Sequence, residues 1–210
     1  MRSMVRASAV AVSLVASLLS GAAFASDWKI DPEHSQVGFA VRHMMVSKVH
    51  GKFTKFTGRV MLDDADITKS KVEVDIDAAS IDTSNAKRDE HLRSADFFDV
   101  TKFPKITFKS SKVEKHGGGI AVTGDLVIKG ISKTVQLMVP SIAAEVKDPW
   151  GGIHRGTEEV ELKINRKEFN LLWNKALDKG GVALGEEVTI ELEVELIKEI
   201  PAAPNPPAKK

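Results

Sequence analysis

Residues 188–196 read Val-Thr-Ile-Glu-Leu-Glu-Val-Glu-Leu, with an aliphatic side chain at every second position and a polar one between. Residues 72–78, Val-Glu-Val-Asp-Ile-Asp-Ala, repeat this pattern. Successive side chains of a β-strand point to opposite faces of the sheet, so a period of two predicts strands with one apolar face and one face in water. These two stretches therefore indicate a protein built from amphipathic sheets.

Shorter runs of the same kind occupy most of the remaining chain. They cover residues 37–41, 56–62, 106–108, 120–128, 135–139 and 160–164, which brings the predicted number of strands to about eight. Glycine-rich turns such as 117–119 and 180–181 separate the runs and favour antiparallel hairpins. Only residues 84–95 predict a helix, with Ser84 as its N-cap and with Asp89 and Arg93 paired four residues apart.

Amphipathic strands can bury their apolar faces by stacking two sheets or by closing one sheet into a barrel. The periodicity alone leaves this choice open. Closure removes exposed strand edges, and a barrel of about eight strands is either filled by its own side chains or holds one small ligand. Aromatic residues make up only 6% of the chain and tyrosine is absent, so the predicted inner wall is mainly aliphatic and suits an aliphatic guest.

Composition excludes several classes of protein. The chain has 210 residues, with 30 Lys+Arg against 29 Asp+Glu and a formal net charge of +1, so it lacks the basic surface on which non-specific nucleic-acid binding depends. It contains no cysteine, which excludes disulfides, thiol nucleophiles, iron–sulfur clusters and cysteine zinc sites. The prediction is an ordinary globular protein without sulfur redox chemistry and without a nucleic-acid partner.

The two ends of the chain differ in composition from the middle. Arg2 and Arg6 precede an apolar run over residues 7–19, and Ala23-Phe24-Ala25 offers a small-x-small cleavage pattern. This run is too short for a spanning helix and is typical of a secretory signal peptide; an uncleaved anchor is the less favoured alternative. We therefore predict a signal peptide over 1–25, a folded domain over 26–200, a disordered proline-rich tail over 201–210, and a periplasmic location, with secretion as the alternative.

Catalytic and metal-binding motifs are scarce in the sequence. The six histidines show no i, i+4 or other short paired spacing of the kind that brings two imidazoles onto one ion. Residues 119–124 have the gap of a phosphate-binding loop, but Asp125 stands where the lysine belongs. No Gly-x-Ser-x-Gly motif occurs. The residues predict neither a metal site nor a cofactor, and no catalytic set.

Several motifs together resemble the YceI family of exported, lipocalin-like proteins. They are Trp28-Lys29-Ile30-Asp31-Pro32-x-His34-Ser35 with Phe39-x-Val41-x-His43; Ser80-Ile81-Asp82-Thr83; Arg88-Asp89-x-His91-Leu92-Arg93-Ser94-Ala95-Asp96-Phe97-Phe98-Asp99; Phe103-Pro104-x-Ile106-x-Phe108-x-Ser110; and Asp148-Pro149-Trp150-Gly151-Gly152 with Arg155-Gly156. The matches run from Trp28 to about Leu196, nearly the whole predicted mature chain. One departure follows Arg166-x-Glu168-Phe169, where Asn170 replaces the glycine that often stands there in the family.

The resemblance implies an all-β fold: an eight-stranded antiparallel lipocalin-like barrel with one short helix. It also implies one long isoprenoid-type lipid, a polyprenyl compound or an isoprenoid quinone, held in an elongated cavity. A membrane-bound quinone or lipid-handling partner follows as an expectation, and pairing into a homodimer stays open. The family supplies no catalytic set, which agrees with the scarcity of catalytic motifs.

Two sets of side chains are the predicted ligand contacts. For a polar head group near the mouth they are His43, Arg88, His91 and Arg93; for the apolar tail they are Val37, Phe39, Val41, Phe53, Phe56, Leu92, Phe97, Phe98, Ile106, Phe108, Phe169 and Trp173. Two alternatives remain at this point. One is an exported enzyme acting on a lipid or small molecule with His43 and His91 as its acid–base pair, and the other is an interaction module with a filled barrel.

Overall fold

The computed structural model describes residues 25–178 and 180–199, so the predicted signal peptide and proline-rich tail lie outside the described residues apart from Ala25. Fourteen strand segments form in this part of the chain: β1 Ser26–Ile30, β2 Gln36–His43, β3 Ser47–Phe53, β4 Phe56–Leu62, β5 Lys71–Asp77, β6 Ile81–Asp82, β7 Lys105–His116, β8 Gly119–Ile128, β9 Ile131–Val139, β10 Val146–Lys147, β11 Ile153–Gly156, β12 Val160–Asn165, β13 Leu184–Glu193 and β14 Glu195–Lys198. One α-helix, α1, spans Ala86–Arg93. Short 3-10 turns occupy Ile67–Lys69, Ala78–Ser80 and Arg166–Phe169.

The strands form two antiparallel sheets. One sheet runs β10-β11-β14-β1-β4-β5-β7-β8-β9 and the other β12-β13-β2-β3-β6. Five pairs of consecutive segments therefore contribute one segment to each sheet, and one to five residues separate the members of each pair: β1/β2, β3/β4, β5/β6, β11/β12 and β13/β14. With each pair counted once, and the two-residue β10 set aside, eight stretches remain. The predicted antiparallel β-architecture is confirmed, although the count of eight strands is not exact.

The two sheets enclose the core between them. β9 and β12, the outer strands of their sheets, lie in contact and bring the ends of the two sheets together. Apolar side chains of the alternating stretches point inward: Ile106 and Phe108 of β7 and Val122 and Leu126 of β8 belong to one buried cluster. A second cluster forms around Trp28. The period of two in the sequence thus corresponds to one face toward the core and one toward water.

The helix begins later than predicted. Ser84 has a left-handed backbone (φ 59°), and Asn85 is the N-cap, whose side chain accepts a hydrogen bond from the Arg88 N–H. The predicted Asp89–Arg93 pair does not form, because both side chains bond to other groups of the chain. Within the described residues, no helix combines the length and hydrophobicity that crossing a membrane requires.

Candidate ligand-binding cavity

A cavity of about 540 Å³ lies between the two sheets. Its walls come from both sheets, from α1 and from the segment after the last 3-10 turn. Most of the lining side chains are aliphatic or aromatic, and the polar exceptions are His43, Ser70, Thr83, Lys87, Arg88, His91, Thr157 and Arg166. A cavity of this size and polarity suits a small molecule that is mostly hydrocarbon.

Two glycines explain why inward-pointing phenylalanines leave this space open. Gly51 pairs with Phe39 across β2 and β3, and a Cβ at Gly51 would lie 2.4 Å from the Phe39 ring. A Cβ at Gly124 would likewise lie 2.6 Å from the ring of Phe108. Because neither glycine carries a side chain, each ring can lie against the wall instead of crossing the interior. The barrel is therefore hollow at positions where aromatic residues would otherwise fill it.

The cavity opens beside the end of β2 and the start of α1. Of all the lining residues that the structure describes, only His43, Lys87 and Arg88 are exposed to solvent. A side chain that both lines a cavity and is exposed to solvent marks the boundary between the two. These three residues form the rim of the cavity, and they carry two cationic groups and one imidazole.

Hydrogen bonds fix the helix side of this rim. Asp89 is buried, and its carboxylate accepts from the Thr83 N–H at 2.9 Å and from the Thr83 hydroxyl at 2.5 Å. Arg88 donates from Nε to the Thr83 hydroxyl at 2.7 Å and from Nη2 to the Thr83 carbonyl at 2.8 Å. A guanidinium has five N–H donors, so Arg88 keeps three for other partners. Arg88 is thus held in place and still able to bind a polar group at the rim.

An aromatic group covers the cavity beneath α1. The His91 ring lies edge-on to Phe97 at 5.0 Å and to Trp173 at 4.9 Å, both measured between ring centroids. Its Nε2 is 2.9 Å from a carboxylate oxygen of Asp96. No hydrogen bond between His43 and His91 occurs in the described part of the chain. His91 is thus packed as part of the wall, with its Nε2 paired with Asp96.

Arg166 is a cavity residue that the sequence interpretation did not assign. It is 2% exposed, and it donates to the carbonyls of Gly185 at 2.7 Å, of Trp173 at 3.0 Å and of Leu171. Burial lowers the pKa of its guanidinium. The hydrogen bonds tie residues 171–173 to the start of β13, and so they hold Trp173 in the wall. The Arg-x-Glu-Phe motif marked this residue, but nothing in the sequence showed that it is buried.

Thirteen of the sixteen predicted contacts line the cavity. They are Val37, Phe39, Val41, His43, Phe53, Arg88, His91, Leu92, Phe97, Phe98, Ile106, Phe108 and Trp173. Whether a ligand contacts them stays a prediction. Much of the opposite wall, such as Val122, Leu126, Ile190 and Leu192, was not among the predicted contacts, although its alternation in sequence was recognised.

The other three predicted contacts lie outside the lining, each for a different reason. Phe56 packs into the separate cluster around Trp28. Arg93 turns away to donate to the carbonyls of Ala79 at 2.7 Å and Ile81 at 2.6 Å. Phe169 is 1% exposed and is enclosed by core side chains. The structure therefore gives these three residues roles in stabilising the fold and no place on the cavity surface.

A cluster of imidazoles and carboxylates lies outside the cavity lining. Asp31, His34 and Glu195 place potential metal-ligand atoms within 4.8 Å of one another. These atoms already have partners, since Asp31 Oδ2 is 2.6 Å from His34 Nδ1 and Glu195 Oε1 is 2.8 Å from Nδ1 of His154. His154 Nε2 in turn is 2.8 Å from Asp148. The cluster links the β1–β2 loop to β11 and β14, and the sequence-based expectation of no metal site stays a prediction.

The histidines of this cluster titrate under the influence of their partners. The hydrogen bond to Asp148, reinforced by the one to Glu195, raises the pKa of His154. The hydrogen bond to His154 lowers the pKa of Asp148. The hydrogen bond to Asp31 similarly raises the pKa of His34. Each pair is thus strengthened when the imidazole is protonated and the carboxylate is ionised.

Comparison with known proteins gives a consistent result. The YceI-like domain matches residues 28–196. Protein YceI of Shigella flexneri is 43% identical over 154 residues, which cover 72% of this chain and 80% of that protein, and protein YceI of Salmonella newport is 39% identical over 183 residues, which cover 85% and 93%.

Solved structures share the fold. The crystal structure of Burkholderia cenocepacia BcnA superimposes with a TM-score of 0.67 at 28% identity, covering 79% of this chain and 98% of that one. A polyisoprenoid binding domain from Saccharophagus degradans, implicated in plant cell wall breakdown, superimposes with a TM-score of 0.58 at 16% identity, covering 82% and 98%. With the domain matched over almost all of the described residues and close relatives at about 40% identity, this chain belongs to the YceI family.

Proposed function

We propose that this chain is an exported binding protein that sequesters or carries one long isoprenoid-type lipid, a polyprenyl compound or an isoprenoid quinone, in the cavity between its sheets. The observation that carries the proposal is the cavity itself: about 540 Å³, walled almost wholly by hydrocarbon side chains and rimmed by three polar ones. Such a space has little to offer a polar solute. It accommodates an apolar tail with a polar group held at the rim.

The energetics of this arrangement are favourable. Burying about 400 Å² of apolar ligand surface contributes about 10 kcal/mol at about 25 cal/mol per Å². Loss of translational and rotational freedom opposes this by at least about 4 kcal/mol, which leaves about 6 kcal/mol, a Kd of tens of micromolar. Affinity of this kind depends on shape and dryness and needs no catalytic group.

The rim supplies the few polar contacts that a head group requires. Arg88 has free donors and a fixed position, and Lys87 and His43 stand exposed beside the same opening. Quinone carbonyls and phosphate oxygens are both acceptors, so cationic donors suit either class of head group. The tail would lie along the wall beneath α1, against Phe98 and Trp173.

Family membership supports binding over catalysis, and the Saccharophagus degradans neighbour, whose fold this chain shares, is a polyisoprenoid binding domain. The proposal assigns no catalytic residue. The signal-like composition of residues 1–25 supports export to the periplasm.

The test is to express the full chain, purify it from the periplasmic fraction without detergent, and identify extracted lipids by mass spectrometry. We expect a stoichiometric isoprenoid lipid, seen also as a mass increment by native mass spectrometry. Purified apo protein should bind geranylgeraniol with a Kd of tens of micromolar or below, and the binding should change the fluorescence of Trp173. Trp173→Phe should remove most of that signal while a competition assay still detects binding. Protein that carries no lipid and binds no prenyl alcohol would refute the proposal.

A further inference from the structure

Three consecutive apolar residues are exposed at the turn between β2 and β3. They are Met44, Met45 and Val46, called here the hairpin tip, and they are 42%, 60% and 81% exposed. Isolated exposed apolar residues are common, but a run of three at one turn is not explained by solubility. The hairpin tip therefore points to something outside the chain that covers it.

The backbone conformation of the hairpin tip is also unusual for the residues that adopt it. Met44 and Met45 both have left-handed conformations, with φ values of 51° and 62°. The Val46 N–H donates to the His43 carbonyl at 3.0 Å, so Met44 and Met45 are the central residues of a β-turn within the three-residue connection. Turns with positive φ at both central positions strongly favour Asn, Asp and Gly, because other side chains are strained there. Methionine at both positions lowers stability and exposes hydrocarbon, so the fold alone gives no reason for this choice.

The hairpin tip adjoins the rim of the cavity. His43, one of the three exposed lining residues, directly precedes Met44. The Met44 N–H donates at 2.8 Å to the carbonyl of Ala183, which also lines the cavity. Leu172, 56% exposed, is likewise flanked by two lining residues. A surface that covered the hairpin tip would lie beside the opening through which a ligand passes.

The charges around the hairpin tip indicate the chemistry of that surface. Arg42 and Lys48 flank it, both are exposed, and no acidic residue lies between them in the sequence. Lys87 and Arg88 at the rim add two more cationic groups. Apolar side chains flanked by exposed cations suit the interface of a bilayer that contains anionic lipids, where the hydrocarbon inserts and the cations contact the headgroups.

We propose that the hairpin tip inserts into the surface of an anionic bilayer and so places the rim of the cavity against the membrane. Docking of this kind would let an apolar ligand move between bilayer and cavity without crossing water. Its purpose rests on the proposed lipid-binding function, but the docking itself does not need a ligand in the cavity and can be measured on its own.

The test uses the mature chain and sedimentation with vesicles of phosphatidylcholine alone or mixed with phosphatidylglycerol. Met44→Asn/Met45→Gly replaces the hairpin tip by the preferred turn sequence, so this variant should be at least as stable as the parent. We expect it to bind mixed vesicles at least tenfold more weakly. Arg42→Gln and Lys48→Gln should each weaken binding to mixed vesicles about fivefold, with little effect on neutral ones. Trp150→Ser, which removes a residue that is 91% exposed on another turn, should leave binding unchanged.

Undiminished vesicle binding by Met44→Asn/Met45→Gly would overturn the proposal. So would sedimentation velocity showing that the hairpin tip joins two copies of the chain, with a dimer that this variant abolishes and no vesicle binding by the parent. Lipid extraction from the same preparations keeps the two proposals apart. Protein that binds vesicles but never carries an isoprenoid lipid refutes the proposed function and leaves the docking intact, and the reverse result does the opposite.

Discussion

Gly51→Ala should narrow the cavity without unfolding the barrel. An added Cβ would lie 2.4 Å from Cζ and 2.9 Å from Cε1 of Phe39, and 2.8 Å from Cγ2 of Thr83. Thr83 is buried and held by Asp89 and Arg88, so it has little freedom to move. Gly51 has no left-handed backbone, so alanine fits the local conformation. The Thr83 methyl group must therefore yield by a few tenths of an ångström, and the ring of Phe39 must make the larger shift, toward the cavity.

The size of the effect follows from the overlap. Ordinary contact begins at 3.4 Å, so the ring must retreat by about 1 Å into the cavity. The cavity then has room for one or two fewer methylene groups of a ligand, and each of these contributes about 0.8 kcal/mol to the free energy of binding. The Kd for geranylgeraniol should therefore rise about 4- to 15-fold. Overpacking should also lower the free energy of unfolding by about 1–3 kcal/mol.

Isothermal titration or Trp173 fluorescence measures the Kd, and urea unfolding measures stability. In the Phe39→Leu background Gly51→Ala should no longer raise the Kd, because leucine does not reach the added methyl group; the double variant is therefore compared with Phe39→Leu alone. Gly156→Ala is the matched control, since its Cβ would meet nothing nearer than 3.8 Å. An unchanged Kd in Gly51→Ala, or an equal rise in the Phe39→Leu background, would refute the idea that glycines keep the cavity open.

Three further predictions concern groups that hold the cavity and its surroundings in place. Arg166→Met leaves the backbone carbonyls that Arg166 now contacts without a hydrogen-bond donor, and it should lower the free energy of unfolding by about 3 kcal/mol. A loss below about 1 kcal/mol in urea unfolding would contradict its structural role. Asp89→Ala leaves the buried Thr83 N–H without its acceptor and should cost about 2 kcal/mol, with faster amide exchange in α1; unchanged exchange there would argue against the anchor. The His154–Asp148 pair should stabilise the fold most between pH 3.8 and 6.5, the ordinary pKa values of its two groups. Because the pKa of His154 is raised in the fold, the contribution should fade as pH rises through that raised value, and because the pKa of Asp148 is lowered, it should also fade at strongly acidic pH. The difference in Tm between the parent and His154→Gln should therefore be larger at about pH 5 than at about pH 9, and an equal difference at both would be inconsistent with the pair.

Most of the fold can be predicted from the sequence, because apolar and polar side chains alternate along an amphipathic strand. This alternation predicts strands over residues 188–196 and over the stretch that becomes β8. The passage from one sheet to the other is not visible in the sequence, because Val194 continues the alternation while the chain leaves β13 of one sheet and enters β14 of the other. Short strands such as β6 and β10 have only two residues, which is too few to show any period.

The cavity wall was predictable and the polar network was not. Inward aliphatic positions follow from alternation, so most predicted tail contacts lie on the cavity surface. The direction of a long polar side chain depends on tertiary contacts instead. Arg88 and Arg93 lie on the same helix and were predicted alike, yet one reaches the rim and the other bonds to carbonyls behind the wall. Buried Arg166 likewise has partners that only the folded chain brings together.

The polar groups near the cavity differ in their hydrogen-bond partners, and this difference affects ligand selectivity. Asp89, Arg93 and Arg166 are engaged with neighbouring groups of the chain, so they hold the wall together and have little left for a guest. In the proposed function, recognition of a head group would fall to the exposed rim of His43, Lys87 and Arg88, where water competes for every hydrogen bond. Contacts with the tail would be dry but would have no preferred direction. A protein built this way should discriminate weakly among head groups and strongly among tails by width and length, since any part of a tail that exceeds the cavity must remain outside the rim.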